Sequence, residues 1–184
     1  MVETLSCSLT KGKENIRKKW IDIEIKLVTI DGSSQKTALT LFINGKYELH
    51  ELLNFSKDKN MESRFKSMSE AIWKFLDTYK PDILYIEETY SAKNVQTTKI
   101  LTRLQGVVYS WCMNNGCEFN TILPSKWRKY LNFTQSRGIK REQLKEQSIK
   151  YVLEHYNLNV TDDEADAICI ADAVVKMFKE KEKK

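Results

Sequence analysis

The chain has 184 residues, 41% of them hydrophobic, with six glycines and two prolines; this is enough apolar material for one domain with a substantial core and argues against a disordered chain. No stretch approaches the roughly 18 to 20 apolar residues that cross a bilayer, and the charged N-terminus (Lys11, Lys13, Glu14, Arg17, Lys18, Lys19) lacks the apolar core of a signal peptide, so membrane partners are excluded and an intracellular protein is expected. The net charge is only +5, and the four cysteines (Cys7, Cys112, Cys117, Cys169) have neither CxxC spacing nor a nearby histidine, which favours reduced packing thiols over a zinc site.

Residues 1–24 mix charges without periodicity and read as an irregular or weakly helical extension. The folded domain is expected over residues 25–180, with residues 181–184 a solvated tail. Strands are predicted over residues 26–31, 37–43 and 46–53, the last two joined by Asn44-Gly45, a strong hairpin signal. Phe65, Met68, Ile72, Phe75, Leu76 and Tyr79 recur by threes and fours and predict a helix over 61–79, stopped by Pro81. Ile83-Leu84-Tyr85-Ile86 is apolar on both faces, as suits a central parallel strand covered by helices.

A helix over 95–114 follows, carrying Leu104, Val107, Val108 and Trp111, and Gly116 ends it before a strand at 118–123. Helices over 140–155 and 163–179 complete the chain. The order β-β-β-α-β-α-β-α-α, without repeats or linkers, predicts a single α/β domain with a central mixed five-stranded sheet flanked by helices.

Charge is concentrated in one span. Residues 126–150 hold eight basic residues against two acids, a net of +6 that exceeds the charge of the whole chain. A solvated helix face accounts for such a run, but Trp127, Tyr130 and Phe133 interleave with Lys126, Arg128 and Lys129, a mixture suited to phosphate contact and base stacking. Nucleic acid is the expected partner.

Acids end two apolar strands. They stand in Leu27-Val28-Thr29-Ile30-Asp31-Gly32-Ser33-Ser34 and Tyr85-Ile86-Glu87-Glu88-Thr89-Tyr90, and a third acidic point is Asp162-Asp163-Glu164-Ala165-Asp166-Ala167. Strand alternation puts Asp31 on the face of Leu27 and Thr29, and Glu87 on the face of Ile83 and Tyr85, while Asp163 and Asp166 share one side of a helix start. Buried like charges are costly unless cations neutralise them, so the four carboxylates suggest a divalent-metal site. Taken singly, the same residues also fit a helix cap, a turn and a solvated strand end. No histidine is near the acids in sequence; His50, by a loop, and His155, on a helix, are expected to be structural or solvated.

Five pieces, in this order, resemble the RuvC-like Holliday junction resolvases of the RNase H-like superfamily, the phage-borne branch most of all. They are Ile30-Asp31-Gly32-Ser33-Ser34, Tyr85-Ile86-Glu87, Ser91-Ala92-Lys93-Asn94, Gln105-Gly106-Val107 and Asp163-Glu164-Ala165-Asp166-Ala167. The resemblance runs from Lys26 to Phe178 and implies an RNase H-like fold. Carried over position by position, it implies metal ligation and catalysis by Asp31, Glu87, Asp163 and Asp166, a phosphate-assisting residue at Lys140 or Arg141, and an aromatic at the branch point at Tyr90. With the basic segment, it marks Lys93, Trp127, Arg128, Lys129 and Arg141 as DNA contacts. Ala38 stands where cellular members usually place Gly, and Pro124-Ser125-Lys126-Trp127-Arg128-Lys129 looks more like the phage branch.

The activity so implied is a structure-selective endonuclease using two Mg²⁺ ions, or Mn²⁺, that nicks branched DNA near the branch point. It would leave 5′-phosphate and 3′-hydroxyl ends. A two-fold symmetric junction calls for two related sites, so a homodimer is expected; the apolar helix around residues 104–111 is a candidate interface, and burial of the same residues against the sheet fits them equally well. The expected location is the cytoplasm of a bacterial cell, for a chromosomal or phage-borne gene. An RNA-processing nuclease on the same fold, a catalytically silent branched-DNA-binding protein, and an actin-like ATP-binding enzyme are the alternatives, the last disfavoured by the missing second phosphate loop.

Overall fold

The computed structural model describes residues 24–89 and 95–182. Cys7, Tyr90, Lys93 and nearly all of the N-terminal extension lie outside the described residues. Three strands open the domain: β1 (Lys26–Gly32), β2 (Lys36–Ile43) and β3 (Lys46–Asn54). They are followed by α1 (Met61–Tyr79), β4 (Ile83–Glu87), α2 (Val95–Asn115), β5 (Glu118–Ile122), α3 (Pro124–Tyr130), α4 (Arg141–Tyr156) and α5 (Asp162–Glu182). All five strands join one sheet in the order β3-β2-β1-β4-β5. β1, β2 and β3 run antiparallel, and β4 is parallel to both β1 and β5. This is the mixed five-stranded α/β sheet expected, with one helix more than the sequence pattern predicts.

That helix is α3. Pro124 sets its first turn, where a missing N–H costs nothing, but seven residues are too few to display a helical period. The hairpin between β2 and β3 forms as expected: Asn44 and Gly45 take φ of 51° and 72°, the left-handed pair of a two-residue turn matched to strand twist. A Cβ on Gly45 would meet Val175 Cγ1 at 3.2 Å, so α5 also packs closely over this turn.

Alternation along the strands sorts the core into two layers. Val28, Ile30, Leu84 and Ile86 face α1 and α2, against Met68, Ile72, Leu76, Leu104 and Val108. Leu27, Ile83 and Tyr85 face α3, α4 and α5. α5 is buried around much of its circumference and is rich in small residues, including Ala165, Ala171 and Ala173, which lets its neighbours lie close. Thr29 Oγ1 donates to Ala167 O at 2.7 Å, a buried bond that fixes the start of α5 over β1.

The apolar face of α2 packs against the sheet and α1, the second of the two readings of that helix. Leu104, Val108 and Trp111 are buried in the domain core, and Trp111 Nε1 donates to Asp77 Oδ1 at 2.7 Å; the exposed large apolar residues of that helix are Val95, Tyr109 and Met113. Among the described residues, no helix is long and apolar enough to cross a membrane.

Candidate active site

β1 and β4 lie side by side, parallel, with Ile30 opposite Ile86, so Asp31 and Glu87 leave their strands in step at the same sheet edge. Both point to the α5 face by alternation. Gly32 follows Asp31 where a Cβ would stand 3.0 Å from Leu104 Cδ2, so β1 ends hard against α2. Gln105 Nε2 donates to Glu87 O at 3.0 Å and fixes the backbone of the β4 end. A small cleft of about 130 Å³, lined by Gly32, Glu87, Glu88, Leu104, Gln105 and Pro124 among others, opens beside it.

The start of α5 divides its acids between two jobs. Thr161 N and Oγ1 donate to Glu164 Oε2 at 2.8 and 2.6 Å, a capping box that commits Glu164 to the helix terminus. Glu164 also meets His50 Nε2 at 3.5 Å, so His50, on β3 rather than beside a loop, stands close to this acidic turn. Asp162 pairs with Lys145 of α4. Asp163 and Asp166 are left facing Asp31 and Glu87.

The electrostatics record the crowding. Burial, then Glu87, Asp166 and Asp163, push the Asp31 carboxyl well above its usual range. Burial raises Glu87 as well, against the pull of the Trp127 hydrogen bond and the charges of Arg128 and Arg141. Asp166 is pushed up to about 6, chiefly by burial, with Ser148 and Arg128 pulling the other way. Asp163 is raised by burial and by Asp162, and is eased by Lys36, Lys145 and Arg141. It sits toward the mouth of the site.

Two residues expected to touch DNA face inward instead. Trp127 is fully buried, stacks edge-on with Phe133 at 5.9 Å between centroids, and donates from Nε1 to Glu87 Oε1 at 2.9 Å. A ring so placed is not available to a base. The one-turn periodicity of α3 turns Trp127 and Leu131 into the core while Lys126 and Lys129 stay outside. Arg128 lies over the Trp127 ring at 4.5 Å and reaches Asp166 Oδ2 at 3.8 Å, so it belongs to the acidic site and not to a free basic surface. Tyr130 and Phe133 are half-buried against the core.

Lys129, Lys140 and Arg141 are exposed. Arg141 is felt by Glu87 and Asp163, which distinguishes it from its neighbour Lys140 at the N-cap of α4. Sequence reasoning missed Lys36, whose Nζ lies 4.0 Å from Asp163 Oδ2, and Lys145. Neither stands within a motif, and only the folding of β2 and α4 around α5 brings them there.

The carboxylates suit a hard divalent cation in donor chemistry, because all four supply oxygen. They also leave something unsatisfied: Asp166 Oδ1 and Arg128 Nε are buried without hydrogen-bond partners. Among the described residues no three His, Cys, Asp or Glu side chains converge as a ready coordination shell. Two of the carboxylates are instead engaged by Trp127 and Arg128.

A family model described as crossover junction endodeoxyribonuclease RuvC matches residues 27–174. Curated relatives of that description include one from Prosthecochloris aestuarii, 26% identical over 125 residues, covering 65% of this chain and 63% of the relative. Another, from Mycobacterium ulcerans, is 29% identical over 76 residues, 41% of each chain. The match thus spans about two fifths of the mycobacterial relative's length. A solved structure of Thermus thermophilus RuvC in complex with Holliday junction substrate superimposes with a TM-score of 0.67 at 14% identity, over 85% of this chain and 96% of that one. The yeast mitochondrial Holliday junction resolvase Ydc2 gives 0.56 at 16% identity, over 93% and 87%. Both share the fold described above. With most of its length matched by that family model, the chain belongs to the RuvC family of crossover junction endodeoxyribonucleases.

Proposed function

We propose that this chain is a metal-dependent endonuclease that resolves four-way DNA junctions, cutting near the branch point to leave 5′-phosphate and 3′-hydroxyl ends. The observation that carries the reading is the placement of Asp31, Glu87 and Asp166, from three separate elements, within electrostatic reach of one another, each held above its ordinary pKa. Such perturbation concentrates where a site is built for charge. Two Mg²⁺ ions are the proposed cofactor, held by Asp31, Glu87, Asp163 and Asp166, with Mn²⁺ as substitute. When bound, they activate water and stabilise charge at the scissile phosphate.

The chain's own residues then orient and neutralise. Trp127 holds one oxygen of Glu87, leaving the other for a ligand. Arg128, held over the Trp127 ring and 3.8 Å from Asp166 Oδ2, offsets the charge of that carboxylate from inside the site. Arg141 is favoured over Lys140 as the residue that assists the phosphate, since its charge reaches the acids. Tyr90 is proposed to stack at the branch point, and Lys93 and Lys129 to contact phosphates. The working unit is a homodimer acting in the bacterial cytoplasm, with Tyr109 and Met113 of α2 as exposed apolar candidates for the shared surface.

The test is incubation with labelled four-way junction, linear duplex and RNA/DNA hybrid, each with Mg²⁺ or EDTA. Metal-dependent cutting of the junction alone is expected. Cutting confined to the hybrid would transfer the site to RNA processing, and metal-independent binding without any cleavage would leave a silent junction-binding protein.

A further inference from the structure

We propose that the cleft between α3 and the C-terminal half of α5 is a second nucleic-acid contact, which grips the sugar-phosphate backbone of a duplex arm several base pairs from the cut. The inference rests on the junction-nuclease reading above. The cleft has a volume of about 780 Å³, and its walls carry Lys126 and Lys129 from α3, Lys176 and Lys179 from α5, Asn132, and a single acid, Glu180. In each helix the two lysines are three residues apart and so share a face, and the two faces look into the same space. Four ammonium groups around one cleft repel one another, and a polyanion relieves that repulsion.

One of the four is held in place. Lys176 Nζ donates to Tyr151 Oη at 3.0 Å and lies 5.2 Å from the centre of that ring, while Tyr151 donates in turn to Asp172 Oδ2. A lysine on an ordinary solvated face has no such tether. Helix α3 also divides its cations: Arg128 turns to Asp166, whereas Lys126 and Lys129 turn to the cleft. The acidic site and the cleft are therefore the two sides of one short helix, and a single strand of backbone can pass from one to the other.

The spacing favours DNA as the occupant. Lys176 and Lys179 follow Asp166 by ten and thirteen residues on the same helix, or about 15 to 20 Å at 1.5 Å per residue. At about 3.4 Å of duplex axis per base pair, an arm lying along α5 meets the cleft roughly four to six base pairs from the phosphate at the acids. A continuous duplex arm spans that distance, and its phosphates are charged throughout.

The experiment pairs changes in protein and DNA. The double variant Lys126→Gln/Lys179→Gln removes two exposed cations without touching the core, and thermal melting checks its fold. Junction binding is measured in EDTA across a salt series, on ordinary DNA and on junctions with uncharged methylphosphonate linkages four to six base pairs from the mapped cleavage position. The variant's slope of log affinity against log salt is expected to fall by about two, one for each lost phosphate contact. The methylphosphonates should weaken the wild-type protein by a similar factor and leave the variant unaffected, because the two changes remove the same contact. Independent, additive losses, or an unchanged slope in a protein that still binds and cuts junctions, would overturn the cleft proposal and leave the nuclease reading intact. A wild-type protein that neither binds nor cuts junctions would overturn both. Loss of polyglutamate binding with DNA affinity untouched would assign the cleft to an acidic peptide and overturn the DNA proposal.

Discussion

Without divalent cations, the fold should be more stable near pH 5 than near pH 7.5, and the carboxylate cluster should be the reason. Asp166 is raised from 3.8 to about 6, and two pKa units correspond to about 3 kcal/mol of preference for the protonated form in the folded state. A carboxyl raised by folding contributes stability that is fully present below its unfolded pKa and is lost as pH rises through its folded one. For Asp166 that loss runs from about pH 4 to just above pH 6. Asp31 and Glu87 move in the same direction and extend it. Asp58 and Asp162 are lowered, so their opposite contribution is complete before the window opens.

The assay is thermal melting in EDTA across about pH 5 to 7.5, for the wild-type protein and Asp166→Asn. Starting at pH 5, the window covers only the last pKa unit of that loss, about 1 kcal/mol, and at roughly 2 to 4 °C per kcal/mol for a chain of this size this is a fall of roughly 2 to 4 °C from Asp166 alone. The asparagine variant should lose most of that slope. Added Mg²⁺ should raise the wild-type melting temperature at pH 7.5 far more than at pH 5, because it binds the ionised folded site. Parallel melting curves for the two proteins across the window, or an equal metal effect at both pH values, would refute the reasoning.

The strands that carry Asp31 and Glu87 were legible because period-two alternation and an apolar run survive in a single sequence, and each acid ends its run. The long helices were legible for the same reason at period 3.6, and Asn44-Gly45 because a left-handed pair has few sequence solutions. The α3 segment was not. Cations at Lys126, Arg128 and Lys129 suggested a polar surface, yet Trp127 is wholly buried and its polar edge serves Glu87. Composition reports which residue types are mixed, whereas burial depends on which side of one turn each occupies. Long-range partners were equally hidden: Lys36 meets Asp163 and His50 meets Glu164 only because the β2–β3 hairpin lies alongside the start of α5.

Asp31→Asn, Glu87→Gln, Asp163→Asn and Asp166→Asn should each abolish junction cleavage and preserve junction binding, while the amide variants of Glu88, Asp162 and Glu164 keep most activity; near wild-type cutting by any of the first four removes it from the site. Arg141→Ala should lower the cleavage rate at saturating DNA more than Lys140→Ala, measured in single turnover, and the reverse order would return the phosphate-assisting role to Lys140. Trp127→Phe probes the positioning of Glu87 itself. Phenylalanine keeps most of the buried ring but removes the N–H that Glu87 Oε1 accepts at 2.9 Å. A hydrogen bond to a charged group contributes about 1.5 to 3 kcal/mol, and this one lowers the Glu87 pKa, so its loss must raise that pKa further. The acidic limb of the rate profile should then move to higher pH, with a modest drop in melting temperature and some activity recovered by raising the pH. If the variant melts lower but its pH profile keeps the wild-type midpoint, Trp127 only fills the core, and the orientation of Glu87 must come from elsewhere.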